Sequence, residues 1–127
     1  MTTGTKSTLI LGASDNPERY SYLALTRLRQ HGHPVTAIGR KATHVQDVEI
    51  ETVPHPIEGL DTITLYLNPD HQRAYYDYIL SLKPRRVIFN PGAENPELEA
   101  LVSAQGIEAM EDRKSTRLNS SHQIISY

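Results

Sequence analysis

The residues best suited to chemistry lie in one loop near the start of the chain, which contains Gly12, Ala13, Ser14, Arg19 and Ser21. Where a strand turns into the first helix of an α/β domain, backbone N–H groups and the positive end of the helix dipole face an anion. Glycine lets the backbone approach a ligand closely, hydroxyls donate hydrogen bonds, and a guanidinium binds phosphate oxygens in pairs. These residues therefore predict a phosphate-binding turn.

A second group of residues, Gly39-Arg40-Lys41, follows the second apolar segment of the chain. NAD-binding domains normally place an Asp or Glu at this position, where it binds the ribose hydroxyls, and they carry the pattern GxGxxG in the first turn. Here the second and third glycines of that pattern are absent, and the charges after the second segment are positive. Positive charges would attract a phosphate on the ribose. Both NADP and coenzyme A carry one, so both fit this prediction.

Catalytic and metal-binding patterns are not evident in the sequence. The chain has no cysteine, which excludes thiolate catalysis and disulfides, and its six histidines show no HExxH-type pairing. Ser14 lacks the GxSxG context of a nucleophile, and His71 is interpreted as an exposed residue at a helix start. We therefore expect no catalytic residues and no metal site.

Short β-branched apolar runs alternate with segments of helical period, which is typical of a parallel sheet with crossover helices. We predict an α/β fold, a three-layer α/β/α sandwich around a five-stranded, mainly parallel sheet. The predicted strands are 8–11, 35–38, 62–67, 86–89 and 107–110, with a further short segment at 49–53, and the predicted helices are 21–30, 70–83 and 95–105. Turn residues close two of these strands, at Asn68-Pro69 and Asn90-Pro91-Gly92.

These motifs together resemble the small stand-alone CoA-binding proteins, which share the Rossmann-like CoA-binding domain of succinyl-CoA synthetase α subunits. The resemblance covers about residues 8–111 and includes the first loop, the Leu65-Tyr66 strand, the Tyr75-Tyr76-Asp77 helix and the run from Val87 to Gly92. It implies that coenzyme A or an acyl-CoA lies across the carboxyl ends of the parallel strands. The contacts implied are the first loop, the Arg40 region and the turns at Asn68-Pro69 and Asn90-Pro91-Gly92.

The chain departs from this family after its last predicted strand. The family usually continues with Glu-Ala-Cys and an apolar segment, whereas this chain turns to Asp112-Arg113-Lys114-Ser115. Residues 112–127 have neither helical nor strand period, and we interpret them as a disordered tail of non-native sequence. Residues 1–111 are accordingly predicted to form one CoA-binding domain.

The overall composition bears on partners and location. A net charge of -2 gives no general attraction to nucleic acid or to anionic membranes. No apolar run is long enough to span a bilayer, and the polar start has no signal-peptide core, so we expect a cytoplasmic protein. The function predicted first is non-catalytic CoA binding as a sensor, carrier or subunit. The alternatives are an enzyme that uses NADP, and a partner-binding module whose nucleotide site has decayed.

Overall fold

Seven strands and four helices occur within residues 7–111, the part of the chain that the computed structural model describes. The strands are β1 (Thr8–Ala13), β2 (Val35–Gly39), β3 (Thr43–Val45), β4 (Val48–Glu51), β5 (Thr62–Leu65), β6 (Arg86–Phe89) and β7 (Glu108–Glu111). The helices are α1 (Tyr20–Gln30), α2 (Pro69–Gln72), α3 (Tyr76–Leu82) and α4 (Pro96–Ala104), and a 3-10 turn, Arg73–Tyr75, joins α2 to α3.

The strands form one sheet in the order β3-β4-β2-β1-β5-β6-β7, in which every pair is parallel except β3 with β4. β1 lies at the centre, between β2 and β5. The chain builds the β2 side of the sheet first and then crosses back past β1 to build the other side. The predicted fold class, an α/β domain with a mainly parallel sheet, is confirmed.

Side-chain alternation along β1 divides the core into two layers. Leu9 and Leu11 point to the face covered by α3 and α4, where Phe89 and Leu98 complete the packing. Ile10 points to the opposite face, which α1 covers with residues that include Leu25. All six side chains are fully buried. Burial of each such side chain stabilises the fold by about 1.5–3 kcal/mol, so these two layers hold the central strand in place.

The predicted number of strands was wrong, because the short segment predicted at 49–53 is a full strand of the sheet, β4, and the polar stretch before it contains β3, which forms a hairpin with β4. β3 and β4 pair antiparallel with Val45 opposite Val48, and the two-residue turn between them places Gln46 at φ 55°. Val45 and Val48 are buried in the α1 layer of the core. A strand of three residues is too short to show a period of two, so the sequence pattern did not reveal it.

The helix predicted over 70–83 is interrupted. α2 ends at Gln72, and a 3-10 turn intervenes before α3 begins at Tyr76. The apolar spacing continues through the interruption, because Tyr75, Tyr78 and Ile79 all pack on the same core layer. Periodicity alone therefore could not locate it.

Two sequence-based expectations concern the ends of the chain and its relation to membranes. The predicted disordered tail at 112–127 lies outside the described residues. Among residues 7–111, none of the helices has the length and apolar character needed to cross a membrane.

Candidate functional site

A cleft of about 660 Å³ opens at the carboxyl ends of the parallel strands β1, β2, β5 and β6. This is the point at which the strand order reverses around β1, where open α/β sheets place their ligands. The cleft is lined by Gly12, Ala13, Ser14, Asp15, Glu18, Arg19, Tyr20, Ser21, Arg40, Lys41, Thr43, Tyr66, Leu67, Asn68, His71, Pro91 and Gly92.

Two glycines allow the strand ends beneath the cleft to approach one another. Gly12 has φ +96° and forms an irregularity in the pairing of β1 with β2, and a Cβ added to it would lie 3.1 Å from the carbonyl carbon of Tyr66. A Cβ on Gly39 would collide with the carbonyl oxygen of Ala13. Any larger residue at either position would therefore force the strands apart or strain the backbone.

The loop after β1 is folded by its own polar side chains. Ser14 Oγ accepts a hydrogen bond of 3.0 Å from the N–H of Asn16, and Asn16 Oδ1 accepts one of 3.0 Å from the N–H of Glu18. The chain then turns into α1 at Arg19, whose side chain makes no capping hydrogen bond to the helix and lines the cleft. The first turn of α1 contains no acidic residue, so the positive end of its dipole is not neutralised within that turn.

Charges of both signs face the cleft. Arg19, Arg40 and Lys41 are exposed cations, whereas Asp15 and Glu18 are carboxylates of the first loop. Asp15 Oδ2 accepts a hydrogen bond of 3.1 Å from Thr43 Oγ1 and lies 3.9 Å from Lys41 Nζ. Asp15 thus joins the loop after β1 to the segment after β2.

The turns after β5 and β6 form the opposite wall of the cleft. Asn68 caps α2, since its Oδ1 accepts a hydrogen bond of 3.0 Å from the N–H of His71. Gly92 has φ +90°, and its N–H donates a 2.9 Å hydrogen bond to Glu94 Oε1. The side chain of His71 is exposed and lines the cleft beside Asn68.

A buried glutamine fixes these two turns relative to each other. Gln72, which has no exposed surface, donates from Nε2 to the carbonyl oxygens of Leu67 (2.7 Å) and Ala93 (2.8 Å). Its Oε1 accepts a 2.9 Å hydrogen bond from Asn95 Nδ2, and Asn95 Oδ1 caps α4 by accepting from the N–H of Glu97. We call Gln72 and Asn95 the amide pair.

The family described as CoA binding domain matches residues 6–115. The chain belongs to this family. Among solved structures, an uncharacterized protein is 52% identical, with a TM-score of 0.82 over 86% of this chain and 90% of that one. None of the curated proteins searched matches this chain.

Two more distant structures share the fold of this CoA binding domain. A hypothetical protein from Pyrococcus horikoshii OT3 has 21% identity and a TM-score of 0.77, over 87% of this chain and 78% of that one. A protein from Thermus thermophilus has 23% identity and a TM-score of 0.74, over 86% of this chain and 84% of that one. At this level of identity the likeness supports the fold alone.

Most of the residues predicted for the site line the cleft of the CoA binding domain. They are Gly12, Ala13, Ser14, Arg19, Ser21, Arg40, Lys41, Asn68, Pro91 and Gly92. Their contact with a ligand remains a prediction. Ser21 is buried in the first turn of α1 although it borders the cleft.

Three other predicted residues do not line the cleft. Asn90 is buried, and its Nδ2 donates to Thr64 Oγ1 (2.7 Å) and to the carbonyl oxygen of Leu65 (2.8 Å), so its amide joins β6 to β5. Gly39 pairs with Ala13 across β1 and β2, where its lack of a side chain leaves room for the Ala13 carbonyl oxygen. Pro69 is the first residue of α2, where proline lacks only an N–H that the helix would not use. These residues shape the walls of the cleft from behind.

Several residues that line the cleft were not singled out from the sequence. Thr43 belongs to the unrecognised hairpin, and Tyr66 and Leu67 were assigned to a strand that in fact ends at Leu65. Asp15 was part of the predicted loop, but nothing in its sequence position indicated contact with Thr43 or Lys41. Thr43 could not be identified from the sequence, because β3 is too short to show a period and the turn residues Gln46-Asp47 are not a pair typical of hairpins.

Proposed function

We propose that this protein binds coenzyme A or an acyl-CoA in the cleft, and that it acts without catalysis, as a sensor, carrier or subunit. The supporting observation is that three cations and the amino end of α1 converge on one cleft in a chain of the CoA binding domain family. The volume of about 660 Å³ lies within the range of pockets that hold small ligands.

The charged groups divide between two parts of such a ligand. Arg19 and the amino end of α1 would bind the pyrophosphate, since helix termini and guanidinium groups both favour phosphate oxygens. Arg40 and Lys41, at the end of β2, would bind the phosphate on the ribose. The turns at Asn68 and Gly92 border the remaining space, where the pantetheine arm would lie.

The polar side chains of the cleft support a binding role over a catalytic one. The Ser14 hydroxyl accepts a hydrogen bond from a backbone N–H of its own loop, as turn-forming serines do. Within residues 7–111, no group of three or more histidines and carboxylates is placed to hold a metal ion. The side chain of His71 is exposed, and its backbone N–H donates the hydrogen bond by which Asn68 caps α2.

Calorimetric titration tests the proposal. Coenzyme A and acetyl-CoA should bind at micromolar concentration, and NADP and ATP should give no heat of binding. Incubation of the protein with acetyl-CoA should release no free thiol above the rate in buffer. Binding of NADP in place of coenzyme A would support an oxidoreductase, since the same cations could bind its ribose phosphate. Absence of binding by all four compounds would favour a partner-binding module.

A further inference from the structure

The carboxylate of Asp15 occupies the region of the cleft in which a ribose phosphate is proposed to bind. Its Oδ2 accepts a hydrogen bond from Thr43 Oγ1 at 3.1 Å and lies 3.9 Å from Lys41 Nζ. Asp15, Lys41 and Thr43 all line the cleft. Thus one cation and one hydroxyl that could bind a phosphate are already engaged by a carboxylate of the protein.

A carboxylate and a phosphate compete for the same partners. Both are anions that accept hydrogen bonds from hydroxyl and ammonium groups, and two anions brought close together repel. The side chain of Asp15 is 39% exposed and that of Lys41 is 73% exposed. Water can therefore solvate both charges when their contact is broken, and breaking it costs little free energy. A ribose phosphate could therefore displace Asp15, but it would bind more weakly than if Asp15 were neutral.

We propose that Asp15 is a specificity-determining residue, which limits the preference of the cleft for ligands with a phosphate on the ribose by competing for Lys41 and Thr43. This inference rests on the proposed function, because it concerns the same ligand and the same cleft. A ligand without that phosphate avoids the competition. Affinity for coenzyme A should consequently respond to the charge of Asp15, and affinity for dephospho-CoA should respond much less.

The test compares coenzyme A with dephospho-CoA on the full chain by calorimetry. Asp15→Asn should increase the affinity for coenzyme A by about fivefold, near the upper end for an exposed ion pair. It should change the affinity for dephospho-CoA by less than about twofold. The effect should shrink when salt is raised from 0.05 M to 0.5 M, since exposed charges are then screened. Asp15→Ser should change both affinities in the same directions, and thermal melts verify that each variant is folded.

Glu18→Gln supplies the matched control. Glu18 lies in the same loop and lines the same cleft, and within residues 7–111 its side chain forms neither an ion pair with Lys41 nor a hydrogen bond with Thr43. Neutralising Glu18 should change the ratio of the affinities for coenzyme A and dephospho-CoA less than neutralising Asp15 does. An unchanged ratio in Asp15→Asn, or an equal change in Glu18→Gln, would overturn the role of Asp15 while CoA binding stands. Failure of the wild-type protein to bind either compound would overturn both proposals.

Discussion

Single side chains give the cleft its charge, and their placement depends on contacts that span long stretches of the chain. Arg19 was identified from its position in the first loop, and the structure places it at the start of α1, facing the cleft. The contact of Asp15 with Thr43 could not be predicted, because it joins residues 28 positions apart through an unrecognised hairpin. Local patterns therefore predicted the cations but not the carboxylate beside them.

Arg19 should contribute to affinity without contributing to folding. Arg19→Ala should weaken the binding of coenzyme A by about 1.5 kcal/mol. This is the lower end of the range for a hydrogen bond to a charged group, and it is expected because the side chain is exposed. The melting temperature should be nearly unchanged. The control is Arg27→Ala, which removes an exposed arginine of α1 that does not line the cleft. It should leave the affinity for coenzyme A unchanged. Equal affinity in Arg19→Ala would remove Arg19 from the site.

Arg40 and Lys41 are expected to bind the ribose phosphate. Replacement of both by Ala should weaken the binding of coenzyme A clearly more than the binding of dephospho-CoA. Only coenzyme A carries the ribose phosphate that these side chains would contact. Each lost contact should amount to about 1 kcal/mol, and the loss should diminish at high salt. The measurement is the ratio of the two dissociation constants. Equal weakening of both ligands would show that the two residues add only background charge.

Glu99 makes the stability of the fold depend on pH. A hydrogen bond with Glu111, burial, and repulsion from Glu111 and Glu94 raise the pKa of its carboxyl from 4.5 to about 7. The folded chain thus holds this proton more tightly than the unfolded chain, so the free energy of unfolding falls as pH rises from about 4.5 to about 7.

Glu99→Gln should remove this dependence. Above pH 7 the variant should be more stable than wild type, by a difference on the order of 1 kcal/mol because partial exposure screens the charges. Below pH 4.5 the difference should disappear. Urea unfolding at pH 4, 6 and 8 measures it, with Glu58→Gln, at an exposed loop position, as the control. If the difference in stability between Glu99→Gln and wild type were the same at all three pH values, Glu99 would not be the source of the pH dependence.

Among the elements, the strands with clear turn signals were predicted best. The 86–89 strand was predicted with its observed bounds, and the helix predicted at 95–105 matches α4 to within one residue at each end. β3 and the interruption after α2 were missed, since the first is very short and the second leaves the apolar spacing intact. The amide pair was also hidden from sequence analysis, because a polar residue such as Gln72 is expected at the surface.

Gln72 should matter to both stability and the cleft. Gln72→Met would leave the carbonyl oxygens of Leu67 and Ala93 without this partner, whereas Asn95 Nδ2 would keep its 2.9 Å hydrogen bond to the Tyr76 hydroxyl. Orphaned buried groups cost about 1–3 kcal/mol each, so unfolding in urea should show a loss of about 3 kcal/mol in total. Gln30→Met, at an exposed position of α1, should change stability by less than about 0.5 kcal/mol. Similar effects of the two variants would contradict the role of the amide pair.

In the molecule as a whole, the cleft exists only when the sheet is complete. Its lining extends from Gly12 to Gly92, and the strands that carry it pair across the centre of the sheet. A ligand held there binds the folded state alone. Folding and binding are therefore linked, and ligand affinity can be read from the melting temperature.

Thermal melts should reflect this linkage. Coenzyme A at a hundred times its dissociation constant should stabilise the fold by about 2.7 kcal/mol, which for a domain of this size raises the melting temperature by roughly 10 °C. NADP and ATP at the same concentration should have no comparable effect. A shift of equal size with all three would indicate general anion binding in place of a specific site.

The central position of β1 also bears on how the chain is made. β1 leaves the ribosome before either of its neighbours, and β2 can pair with it once residue 39 has emerged. Its other edge has no partner until β5, at residues 62–65, follows. If synthesis paused after β4 had emerged and before β5 had, the exposed chain could form half a sheet, with Leu9 and Leu11 beside a bare edge to which another nascent chain could add a strand. The nascent chain is thus open to aggregation at this edge until β5 has emerged.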